Sequence, residues 1–182
     1  MRVLLAILSL AGLAPATTLQ YLSLDQMAQK STAIVRGRVN SCLGKFRGPV
    51  IYTHCQVTVT EQWKGAASPS TVDVAVMGGS AADASGSRLV QNFPGAPQLA
   101  VGQEYVLFLW TGKSGLTQII GFSQGVFDLK TLSLNSAVTA VRPAANEPML
   151  GPDGSPAKPE SIEMSVSQLR ARVVKALGAV SK

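Results

Sequence analysis

With 182 residues and 46% hydrophobic composition, the chain is sized for one domain around a single core. Sixteen basic against ten acidic side chains give a formal net charge of +6, and one histidine with two cysteines offers no metal-ligand spacing. Five percent aromatics with 17 glycines and 10 prolines predicts many turns about a modest core.

The amino-terminal MRVLLAILSLAGLAPA carries Arg2, an apolar run from Val3 to Leu13 and the small-residue exit Ala14-Pro15-Ala16. It predicts a cleaved secretory signal over 1–16, with a mature chain from Thr17 in a secreted or periplasmic location. The run is too short for a membrane anchor, which needs about 18 apolar residues. Leu13 stands where a lipoprotein would need cysteine. Losing Arg2 lowers the net charge from +6 to +5, a balance that keeps an exported protein soluble. No later segment reads as membrane-spanning.

In LSLDQMAQKS, Leu24, Met27 and Ala28 share one face of a short helix that Ser23 can cap. TAIVRGRVNSCL then changes to period two, with Val35, Gly37, Val39 and Ser41 on one face and Arg36, Arg38 and Asn40 on the other. After the turn GKFRGP, VIYTHCQVTVTEQWKG returns as the partner strand. Its Ile51, Thr53, Cys55, Val57 and Val59 share a face opposed by Tyr52, His54, Gln56, Thr58 and Thr60.

Further strands are expected at STVDVAVM, EYVLFLW, LTQIIGF and GVFDL, and their spacing predicts a small antiparallel barrel or sandwich over 17–141. The connection from Gly78 to Gly102 is long enough to be functional, and SRLVQN within it can form a short strand. Residues 142–164 read as a Pro-rich linker and 165–180 as an amphipathic helix. In that helix Ser165 and Gln168 match a capping box, and Val166, Leu169, Val173 and Leu177 form a stripe narrow enough to dock on the barrel.

Adjacent strand residues project to opposite faces, so His54 and Cys55 cannot make a nucleophile and base pair. No catalytic, cofactor-binding or metal-ligating residue is assigned. Asp25, Glu61, Asp73, Glu104 and Asp128 read as solvated carboxylates, and the glycines of MGGS and SGS as turns. Export and an even cysteine count instead predict a Cys42–Cys55 disulfide, brought into opposition by a turn at Gly48-Pro49. The best match of apolar faces pairs Val39 with Val59 and Ser41 with Val57, which sets the cysteines on opposite faces. A β-bulge near Cys42 is therefore expected.

The first hairpin carries Arg36, Arg38, Lys45 and Arg47, which with Arg88, Asn92 and Phe93 of the long connection make the candidate binding surface. Phe46, Tyr52 and Trp63 are too dispersed to form the stacking platform of a nucleic-acid groove.

The runs STAIVRGRVNS, VIYTHCQVTVTEQWKG, VGQEYVLFLW and GFSQGVFDL resemble a family of uncharacterised secreted bacterial proteins, a resemblance that covers Leu19 to Leu129. That family shares a "vGrV" strand, an "iYT…V…v…KG" strand, a "G..yllFL" strand and a closing "G..qG.F" hairpin. More distantly the pattern is similar to netrin-like domains and tissue inhibitors of metalloproteinases. The resemblance implies a mainly β, OB-like Greek-key barrel with a short amino-terminal helix and a carboxy-terminal helix packed on it. In those inhibitors an amino-terminal cysteine chelates the protease zinc. The expected start at Thr17-Thr18 lacks it.

Together these readings predict a secreted, non-enzymatic binding module that engages another extracytoplasmic protein through its barrel-edge loops. Two other classes stay open: a binder of anionic polymer through the basic hairpin, and a hydrolase whose site converges only in three dimensions.

Overall fold

The computed structural model describes residues 18–65, 69–131 and 137–179. The expected signal over 1–16 and the start at Thr17 lie outside the described residues.

The chain opens with β1 (Leu19–Gln20) and α1 (Leu24–Lys30), followed by the long hairpin β2 (Ala33–Arg47) and β3 (Val50–Lys64) and then β4 (Thr71–Met77). The connection after Gly78 holds a small hairpin, β5 (Gly79–Ala82) and β6 (Arg88–Gln91), where a short strand at SRLVQN is expected. Next come β7 (Glu104–Thr111), β8 (Thr117–Ile119), a 3-10 turn (Phe122–Gly125), β9 (Val126–Lys130) and β10 (Thr139–Arg142). The segment read as a linker holds β11 (Met149–Leu150), β12 (Pro156–Ala157) and most of β13 (Ile162–Ser165), which leads into α2 (Val166–Gly178).

The main sheet is antiparallel, in the order β13-β10-β9-β7-β2-β3-β4, with β8 added on β7. β1, β11 and β12 form a second sheet in which β1 pairs β11 in parallel, so the carboxy-terminal third is tied back to the first strand.

Among the described residues a mainly β fold with two helices is thus present, but the expected closed barrel is not. β4 ends the main sheet, and although β8 lies beside it, no ladder joins the two. The reason is local. LTQIIGF was expected as one strand, yet Gly121 and Phe122 both take left-handed backbone, with φ of 65° and 58°, and turn the chain into the 3-10 helix. Only three residues of β8 remain, too few to build a second ladder.

The central strand β7 is buried on both of its faces, which explains why it reads as an unbroken apolar run. On one face Ile34, Val106, Phe108 and Phe127 pack under α1 and α2. On the other, Val39, Val57, Val74, Leu107 and Leu109 form a second cluster. Both helices start on complete capping boxes, Ser23 with Gln26 and Ser165 with Gln168. α2 docks through Val166, Leu169 and Val173 as its stripe predicts. Ala176 takes the fourth buried place, and Leu177 packs at the margin.

The β2–β3 register corrects one expectation. Val39 faces Val57 rather than Val59, and Ser41 faces Gln56, with Asn40 as the extra residue between them. This bulge brings Cys42 opposite Cys55, and the disulfide is formed. Two further shifts leave Trp63 and Thr60 unpaired on β3, so the hairpin bends where it passes the helices.

Candidate functional site

The unclosed seam leaves a cleft. The end of β4, at Ala75, Val76 and Met77, forms one wall; Gln118, Ile119 and Phe122 form the other; Trp110 stands at the mouth. The cavity measures about 250 Å³ and is roofed by Ala96 and Pro97. Those two roof residues, with Val76 and Met77, also line an adjoining cavity of about 490 Å³ that reaches Asn92 and Phe93. One groove therefore runs along the end of β4 beneath the segment 92–99.

That segment is held from below. The Tyr105 hydroxyl accepts from the Ala100 N–H at 3.0 Å, and the Val39 N–H and carbonyl bond Gln103 and Gly102 at 3.0 and 2.7 Å. The Cys42 sulfur lies 3.8 Å from the Leu99 carbonyl. The bulge and disulfide in the first hairpin thus set the height of the roof. Phe122 is the one non-glycine residue with positive φ among the described residues. Such backbone costs about 1 kcal/mol or more and persists where surrounding structure imposes it, as it does at binding sites.

The candidate binding residues from the sequence do not form one surface. Asn92 and Phe93 line the groove. Arg36 is consumed at the other end of β2: its guanidinium forks onto Glu104 at 3.0 and 3.1 Å and reaches Glu61 at 2.8 Å. Arg38 donates to the Gly102 carbonyl. Lys45 and Arg47 stand at the far end of β2, roughly 30 Å along the strand from Arg36, and Arg88 lies on β6. Four basic residues on one hairpin therefore do not make one basic patch, because β2 is fifteen residues long.

Glu61 collects several donors. The Trp63 indole N–H, at 3.1 Å, and the Arg36 guanidinium hold its carboxyl below the usual value, against the opposing effect of burial. Lys64 donates to the Ala28 and Gln29 carbonyls at 2.8 and 2.7 Å and so caps the end of α1; burial pushes its ammonium down. Gln124 is buried: it accepts from the Leu22 N–H and donates to the Gln20 and Gly121 carbonyls. Its own carbonyl accepts from Arg142, a buried guanidinium 5.4 Å over the Phe127 ring.

His54 has a partner that the sequence did not reveal. Its Nδ1 lies 2.8 Å from an Asp73 carboxylate oxygen on β4, diagonal to it on the outer face of the sheet. Both sit on period-two strands with the same facing parity, which is the one signal that could have suggested the pair. Cys55 points to the opposite face, buried in its disulfide beside Val57 and Val74. Neither His54 nor Asp73 lines the groove.

Among the described residues no three of His, Cys, Asp or Glu converge as a metal-holding group, and no helix is long and apolar enough to cross a membrane. Compared with protein-family models, curated proteins and solved structures, the chain matches none of them.

Proposed function

We propose that this is an exported, non-enzymatic binding module, an open variant of the OB-type barrel, and that it grips an apolar segment of another extracytoplasmic protein in the groove beside β4. The observation that carries the reading is the cleft at the unclosed seam, lined chiefly by apolar side chains with Trp110, 47% exposed, at its mouth. A cavity of about 250 Å³ has room for one or two apolar side chains. A half-exposed tryptophan beside such a pocket is the residue type that dominates protein–protein binding energy. The Cys42–Cys55 disulfide is compatible with an oxidising compartment.

The test is affinity capture from the native extracytoplasmic fraction with the wild-type chain and Trp110→Ala as parallel baits. A specific partner should be retained by the first and its affinity for the second should fall roughly 30-fold, as loss of about 2 kcal/mol at such an anchor requires. A partner held equally by both baits would rule out the groove.

A further inference from the structure

None of the residues lining the two adjoining cavities beside β4 is Asp, Glu, Lys, Arg or His. The chain is 14% charged with a formal net charge of +6, so this neutrality is not a property of its surface at large. The cleft beside α2 is lined by Arg36, Glu61, Arg170 and Lys175, and the one at Tyr21 by Arg142 and Glu160. Two acids close to the groove do not enter it. Asp73, the acid of β4, is held by His54 on the outer face, and Glu147 lies against Gly95 of the roof segment without lining either cavity.

The polar side chains at the mouth of the cleft are an indole and an amide. Trp110 on β7 and Gln118 on β8 stand directly opposite each other, so both side chains project to one face, and both line the cleft. Among the described residues neither the indole N–H nor the Gln118 amide has a hydrogen-bond partner. The indole rests on Gly112, where a Cβ would come 2.7 Å from the ring, so a side chain at that position would displace it.

A primary amide is the complement of a peptide group: its oxygen accepts from an N–H while its NH2 donates to a C=O. Around it Ala75, Val76, Ile119 and Phe122 are apolar and suit a hydrocarbon side chain. A sugar ring carries no such side chain, and an acyl chain makes no use of the amide. A charged side chain entering this cleft would lose its water without meeting an opposite charge. The geometry points to an uncharged peptide segment as the occupant of the groove, with one apolar side chain in the cavity of about 250 Å³ against Trp110 and with Gln118 bonded to the segment's main chain. This rests on the groove being the binding site, as proposed above. Association is then driven by apolar contact and not by the chain's net positive charge.

An array of end-blocked peptides of varied sequence, probed with the full chain, tests this. Bound peptides should carry a large apolar residue, with Asp, Glu, Lys and Arg absent from the positions beside it. Placing Lys or Asp next to that residue in a bound peptide should weaken binding about tenfold or more in titration calorimetry. Affinity should change less than about twofold between low and high salt. Gln118→Leu should weaken binding about fivefold, as loss of one hydrogen bond requires. Gln118→Glu should weaken the neutral peptide and strengthen the lysine-bearing one, a swap that a merely structural role for Gln118 would not produce, and melting curves verify that both variants fold. Charged residues tolerated beside the apolar one, affinity that collapses in salt, or an array on which nothing binds would overturn the inference. So would a neutral oligosaccharide bound in the groove in place of any peptide. Whichever of these occurs, a ligand or partner lost with Trp110→Ala still upholds the groove as the site, whereas one held equally by Trp110→Ala sinks both.

Discussion

Glu61 shows how much one side chain does at the bend of β3. It receives the Trp63 indole N–H at 3.1 Å and the Arg36 guanidinium at 2.8 Å, while Arg36 is forked onto Glu104 on its other side. Its folded-state pKa is lowered by these donors. The ionised carboxylate therefore adds stability that is present above the unfolded carboxylate range, about 4.3, and that is lost as pH falls through the lower folded value. Glu61→Gln is expected to flatten this acid limb in urea unfolding measured as a function of pH. At neutral pH the half-buried, charge-assisted bonds are worth about 1 kcal/mol after solvent screening. An unchanged acid limb would assign the acid sensitivity to other carboxylates. His54 teaches the complementary point. The sequence placed it correctly on the outer, polar face, away from Cys55, but Asp73 comes from a strand 19 residues on and becomes its neighbour only through the β3–β4 register.

Among the elements, α2 was the most legible. Its capping box and 3.6-residue stripe are local, and both are present: Leu169 and Val173 are fully buried against the sheet and α1. The stripe drifted at its end, where Ala176 takes the core position and Leu177 only packs at the margin. Leu169→Asp combines lost apolar burial with a charge forced into the core and should cost roughly 3 to 5 kcal/mol. Leu177→Asp should cost clearly less, about 1 kcal/mol. Thermal melting of the two variants side by side checks the ranking, and equal losses would mean that α2 is rotated about its axis. β8 was the least legible element. LTQIIGF alternates well enough for a strand, but Gly121 and Phe122 adopt left-handed backbone that period counting cannot register.

At the scale of the whole molecule, long-range ties hold an open sheet together: β1 on β11, β13 on β10, and the disulfide across the first hairpin. The disulfide spans a separation of 13 residues, so by loop-closure entropy it stabilises the fold by about 3 kcal/mol, chiefly by restricting the unfolded chain. The double variant Cys42→Ser/Cys55→Ser should lose about that much in denaturant unfolding. Two free thiols titrated in the unreduced, denatured wild type would refute the bond. The sequence by itself determined what depends on near neighbours: strand faces from period two, helix starts from Ser–Gln boxes, the cysteine pairing from a symmetric turn plus one bulge. Lys64 and Gln124 have structural work in the fold, since Lys64 caps α1 and Gln124 bonds Leu22 and Gln20. Only the tertiary structure decided whether the sheet closed, and with it the groove. That outcome sums the three register shifts of β2–β3 with the Gly121–Phe122 turn, and brings 75–77, 96–97 and 118–122 to one place. It also decided that Arg36 is neutralised by Glu61 and Glu104, 25 and 68 residues away, while Lys45, Arg47 and Arg88 keep uncompensated charge. Local pattern specifies the direction of a side chain; which distant side chain meets it depends on sheet twist and accumulated register, and no short stretch of sequence encodes those.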